Sequence, residues 1–360
     1  MAARTLLLIG TRKGAFIAES DRDRKSWTIS EPMADGWPIH DVTFDPSLGR
    51  LYAGGGSDWY GPTVFRSDDL GHSWRQSSDG LTYGDAEAAP KITSVWSVTP
   101  AAGGVYAGVG PAGLFRSRDG GETWQHVEGL TNHPTRPTWQ PGAGGLILHS
   151  IVPHPTDGQR MWVAISAVGT FETRDGGATW EPRNHGVRVD FGPERYPETG
   201  QCVHKLVKAA GDPDDLYQQN HCGVYRSGDG GLNWDDISTG LPSEFGFAMA
   251  AHPRDPATAW VIPLTGPEEG RVMPGGAAAV WRTSDRGDTW VRGDEGLPQQ
   301  DAYMSVLREA MAHDELDPVG VYFGTSTGQL WASVDEGSTW SNVVTTLPPI
   351  WSVDVVHLDG

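Results

Sequence analysis

The sequence predicts an all-β fold, a seven-bladed β-propeller forming a single domain over residues 1–360. Three observations predict it: one short motif recurs down the chain, its copies lie about fifty residues apart, and strand-like runs fill the intervals. The clearest copy is FRSRDGGETW at 115–124. Near-copies end at Trp74 (FRSDDLGHSW), Trp180 (FETRDGGATW), Trp234 (YRSGDGGLNW), Trp290 (WRTSDRGDTW) and Trp340 (WASVDEGSTW). A worn copy, FIAESDRDRKSW, ends at Trp27, with Arg22 and Arg24 in the Asp and Gly positions.

The motif has a physical logic. Its aromatic-x-Ser/Thr start suits a strand, its Asp can accept hydrogen bonds from the amides of its own turn, and its Gly supplies a positive-φ position. The closing Trp begins the return strand and brings a large apolar face to bury between sheets. Each copy is therefore expected to be a β-hairpin with a self-capping turn.

The spacing S/T-x-D-x-G-x-T/S-W resembles the Asp-box, or BNR repeat, and the chain resembles Asp-box propellers along its whole length. Sialidases, xyloglucan-cleaving glycosidases, sortilin-type receptors and a photosystem II assembly factor share the motif. The phrasing is most similar to bacterial sialidase-like, glycosyl hydrolase-like proteins. In all of these the box is a fold element, so its Asp residues are not read as catalytic acids.

Each repeat reads as four strands, from an inner strand A to an outer strand D. The first copy has no strand A before it, and IWSVDVVH at 350–357 has no box after it. Pairing the two ends in one blade closes the ring and removes exposed edges. The inner strands are expected to begin near Ile39, Lys91, Leu146, Gln201, Phe245, Ala302 and Ile350.

A net charge of −19 disfavours nucleic acid and anionic membranes as partners. TLLLIG near the start is too short for an export signal and reads as a strand, so the expected location is cytoplasmic. Two cysteines do not make a disulfide framework. Cys202 and Cys222 are expected roughly opposite each other across a hairpin, as small buried thiols, a redox-labile pair or a soft ligand.

Four segments are long for connectors: 81–91, 131–145, 183–200 and 263–279. All are expected on one face, as walls of a pocket. Aligning the inner strands places His40, Ser94, His149, His204, Phe247, Met304 and Trp351 at one equivalent channel position. His221, on the strand after His204, joins them. Imidazoles converging at a channel mouth can bind a transition metal, one nitrogen coordinating and the other fixing the ring. His149, His204 and His221 are the expected ligands, with His40 as fourth ligand or general base, and zinc, iron and manganese are the candidate ions. The alternative is four separately satisfied histidines. His154, His252 and His357 read as structural. No motif for an organic cofactor is present.

The loop 183–200 adds Arg188 and Arg195 to hold an anion and Tyr196 and Glu198 as acid or base. Arg136 and Trp139 could clamp a carboxylate or stack on a ring. Three functions follow. The first is a metal-assisted hydrolase, lyase or oxygenase for a small, anionic substrate. The second, implied by the resemblance, is a glycoside hydrolase, for which Asp41, Glu198, Glu268 and Asp301 are candidate carboxylates. The third is a scaffold for protein assembly, with Trp59 and Tyr60 as a docking patch.

Overall fold

The computed structural model describes residues 3–358 apart from 85 and 88. Seven four-stranded antiparallel sheets form a ring, each running outward from its inner strand. The C-terminal strand Ile350–Leu358 is the inner strand of the first blade and pairs antiparallel with Arg4–Thr11, from Arg4 opposite Leu358 to Thr11 opposite Ile350. The ring is thus closed by hydrogen bonds between the two ends of the chain.

The boxes behave as their residues dictate. In the third blade the Asp119 carboxylate accepts the Thr123 amide at 3.0 Å and the Thr123 hydroxyl at 2.6 Å, and the Ser117 hydroxyl accepts the Gly121 amide at 2.7 Å. Gly120 and Gly121 have φ of 73° and 83°, which turns the chain back on itself. In the worn copy Arg24 holds the turn at φ 57° without a glycine, and its guanidinium reaches Asp314 of the seventh blade at 2.7 Å. Large side chains of one blade also donate to the box turn of the next: Trp162 Nε1 to the Gly230 carbonyl at 2.8 Å, Tyr52 hydroxyl to the Gly120 carbonyl at 3.1 Å. Apolar clusters such as Trp162, Leu206, Tyr225 and Trp234 fill the space between blades.

Inner strands start at Ile39, Ser94, Leu148, Val203, Gly246, Met311 and Ile350. The sixth expected start, Ala302, is corrected to Met311. Residues 302–306 carry no strand, and Ala302, Met304 and Val306 are buried in an apolar cluster beside Met273. Met304 therefore does not reach the channel.

Candidate functional site

Six of the seven inner strands carry an irregularity in pairing at the same level. An extra residue there bends the strand and re-aims its side chain. The extra residues include His40, Trp96, His149, His204, Phe247 and Trp351, and all of these line one cavity of about 680 Å³ at the channel mouth. Trp96 stands where the sequence alignment put Ser94. In the seventh blade Arg308 and Glu309, just before the strand, reach the same cavity.

Two of the histidines are committed within the wall. His40 is sandwiched between Trp96 and Trp351, with centroids 4.1 and 4.6 Å away, and its Nε2 meets the Gly56 carbonyl at 3.3 Å. Burial pushes it down to about 4, so it is neutral at pH 7. His149 Nε2 donates to the Val203 carbonyl at 2.9 Å, and its Nδ1 pairs with the Ser150 hydroxyl at 3.0 Å. With both nitrogens engaged, the expectation that His149 is a ligand is corrected.

His204 differs. Its Nδ1–H donates to the Gly246 carbonyl at 2.6 Å, which leaves the Nε2 lone pair 3.5 Å from Cys202 Sγ. His221 comes from the neighbouring strand's end, its ring centroid 5.6 Å from that of His204. Donor atoms of Cys202, His204 and His221 all lie within 4.8 Å of one another. Burial holds both imidazoles below their ordinary range, His204 well below, with the positive charge of Arg308 adding to the shift. Phe191, Phe245 and Phe247 surround the pair with ring centroids 4.6 to 5.3 Å away. Neutral imidazoles, one fixed in tautomer by a carbonyl, beside a thiol form a donor set that suits a borderline-soft ion.

Cys202 and Cys222 are free thiols, both pushed up by burial. His154 and His252 each accept two backbone amides through Nδ1, closing tight turns.

The loop 183–200 reaches the cavity through Phe191, not through its charged residues. Arg195, Tyr196 and Glu198 are exposed outside it, so the acid–base and anion-holding expectations for them are corrected. Arg188 is tied to Asp190, Asp236 and Glu244 and is a brace for its loop. Arg136 lies over Trp139, whose ring is buried against Phe171 while its Nε1 donates to Thr135, so both belong to packing. Segments 131–145 and 263–279 do form walls, through residues 142–144 and through Arg271. The loop 81–91 instead sends Tyr83 onto Phe115 and His126.

Beside Trp96 and Glu309, two charged cavity residues stand outside the sequence expectations. Arg271 comes from the 263–279 insertion, and Arg308 from the coil just before the inner strand Met311–His313. The aligned channel position read as Met304 had concealed Arg308.

A BNR/Asp-box repeat profile matches residues 115–126. The chain is a seven-bladed propeller in which one box hairpin matches the BNR/Asp-box repeat. Its seven blades are consistent with propellers of that kind. No curated protein matches it in sequence. Among solved structures, the periplasmic gluconolactonase PpgL of Pseudomonas aeruginosa aligns over 98% of this chain and 99% of its own at 15% identity and TM-score 0.59. YCF48 bound to D1 peptide aligns over 85% and 82% at 15% identity and TM-score 0.54. An ancestral GH74 enzyme aligns over 88% of this chain at 18% identity and TM-score 0.54, but this chain spans only 38% of that enzyme. Identities this low establish the shared fold alone. Among the described residues no helix is long and apolar enough to cross a membrane.

Proposed function

We propose that this BNR-repeat propeller is a metal-dependent hydrolase of a small, anionic molecule bound at the channel mouth. Cys202, His204 and His221 are the ligands in this reading, and His149 is not. One observation carries it: the His204 Nδ1–H bond to the Gly246 carbonyl turns the Nε2 lone pair toward Cys202 and His221. Three protein ligands leave a fourth position of a tetrahedral site open, the pattern of catalytic rather than structural zinc. A metal held there would supply an activated water and a Lewis acid. The phenyl rings of Phe191, Phe245 and Phe247 would exclude bulk water from the reacting bond, and His40, stacked and neutral, would shape the opposite wall. The gluconolactonase and GH74 neighbours are hydrolases by name, which agrees with the reaction class.

The glycoside hydrolase alternative needs two carboxylates flanking a bond. Glu198, Glu268 and Asp301 are exposed and do not line the cavity, and Glu309, which does, is paired with Lys205. No observation here favours the scaffold role beyond the exposure of Trp59 and Tyr60.

Elemental analysis of tag-free protein tests the reading, beside a Cys202→Ser/His204→Ala variant that melts cooperatively. Near-stoichiometric zinc, iron or manganese that vanishes in the variant, with metal-dependent hydrolysis in a panel of lactones and esters, is the expected result. Wild-type protein that takes up none of these ions on incubation overturns it.

A further inference from the structure

The cavity holds two guanidinium groups that form no direct ion pair with a described residue. Arg308 Nη2 meets only the Ser166 hydroxyl, at 3.3 Å, and its Cζ lies 5.0 Å from the Phe247 ring centroid. Its Nε is sealed from solvent and has no hydrogen-bond partner among the described residues. Arg271 lies with Cζ 5.9 Å from the Phe245 ring centroid, and its side chain makes no hydrogen bond to a described residue. Neither forms an ion pair with a described carboxylate within 4.0 Å. The nearest acid in the wall, Glu309, is already neutralised by Lys205. A protein of net charge −19 has therefore placed in one pocket two guanidinium groups that no described carboxylate pairs directly.

Taking a cation out of water without a partner is unfavourable, and folded proteins pair such groups or present them to a ligand. The surroundings decide what ligand. Phe191, Phe245 and Phe247 form an apolar wall beside the two arginines, and the polyhydroxyl body of a sugar phosphate would leave its hydroxyls unpaired against those rings. A carboxylate with a flat, apolar body meets both demands: its oxygens accept from the guanidinium forks and its ring or chain lies on phenyl faces.

We propose that Arg271 and Arg308 form an anion subsite for an organic carboxylate with an apolar, flat body, its oxygens on the guanidinium groups and its body packed beside them against the Phe191, Phe245 and Phe247 rings. This deepens the hydrolase reading by naming its substrate class, since the same rings pack against His204 and His221. The subsite itself needs no metal.

Calorimetric titration of chelator-treated, metal-free protein with benzoate, benzyl alcohol and inorganic phosphate tests it, so that loss of the metal reading leaves this result intact. Benzoate should bind one to one, and benzyl alcohol and phosphate should bind far more weakly. Arg308→Gln and Arg271→Gln should each weaken benzoate about tenfold or more, the loss of a charge-assisted contact. Arg271, on the insertion, provides a second variant should Arg308→Gln fold poorly. Absence of benzoate binding overturns the proposal. So does phosphate or the neutral alcohol binding as tightly as benzoate, or benzoate binding unchanged in either variant when that variant melts like wild type.

Discussion

His204 donates its Nδ1–H to the carbonyl oxygen of Gly246 at 2.6 Å, across the boundary between the fifth and sixth blades. His149 makes the equivalent inter-blade contact with Val203, but through Nε2. The choice of nitrogen separates a ring that can coordinate from one that cannot. His204→Ala should abolish metal uptake. His149→Ala should retain it while lowering stability by roughly 1–3 kcal/mol, because a buried carbonyl loses its donor. Elemental analysis and urea unfolding of both variants read the two effects separately.

Ring closure rests on more than the pairing of the chain ends. The buried Asp314 carboxylate accepts Arg24 at 2.7 Å, the Tyr322 hydroxyl at 2.8 Å and the Gly320 amide at 2.7 Å. Arg24→Ala leaves that carboxylate without its cation, at a cost of about 3–5 kcal/mol. Guanidinium unfolding should show the loss, while Arg24→Ala/Asp314→Asn should recover part of it.

His40 and Asp41 are neighbours on one strand whose titrations oppose each other. His40 is lowered from 6.5 to about 4 by burial, so the folded state resists protonation; its contribution is complete above pH 6.5 and is lost as pH falls toward 4. Asp41 is raised from 3.8 to about 7 by burial and by the nearby Glu309 charge, so the folded state holds its proton longer; its contribution is complete below pH 3.8 and is lost as pH rises toward 7. Asp41→Asn should therefore gain stability relative to wild type between pH 4 and 7, by roughly 1–3 kcal/mol after discounting for partial exposure. Urea unfolding at several pH values across that window checks it; a constant difference between the two proteins would refute the assignment.

The repeat made the fold readable because each box carries its own turn chemistry, and Asp119 or Gly121 has the same task wherever the motif recurs. Ring closure was readable for a related reason: a lone strand at 350–357 and a blade lacking one can only satisfy each other. The site was harder. His204 and His221 were brought into view by hairpin register, yet nothing in residue type distinguishes His204 from His149, since their roles depend on which nitrogen faces a carbonyl. Trp96 and Arg308 were missed because a bulge, or a delayed strand start, shifts the inward-facing residue relative to simple alternation. Arg195, Tyr196 and Glu198 misled because a dense polar loop looks alike whether it faces a pocket or solvent.

The same distinction between scaffold and site gives a last prediction. Asp119 accepts four hydrogen bonds inside its own turn: from the Ser117 hydroxyl at 2.7 Å, the Glu122 and Thr123 amides at 2.9 and 3.0 Å, and the Thr123 hydroxyl at 2.6 Å. All are local, and none approaches the channel. Asp119→Ala should lower stability by about 1–2 kcal/mol, the range for losing a side-chain cap on backbone amides. Metal content and benzoate affinity should stay at wild-type values, because the box turn lies on an outer hairpin while the cavity is lined by inner strands and insertions. A variant that melts nearly as wild type but loses either property would show that the box takes part in the site, contrary to its reading as a fold element.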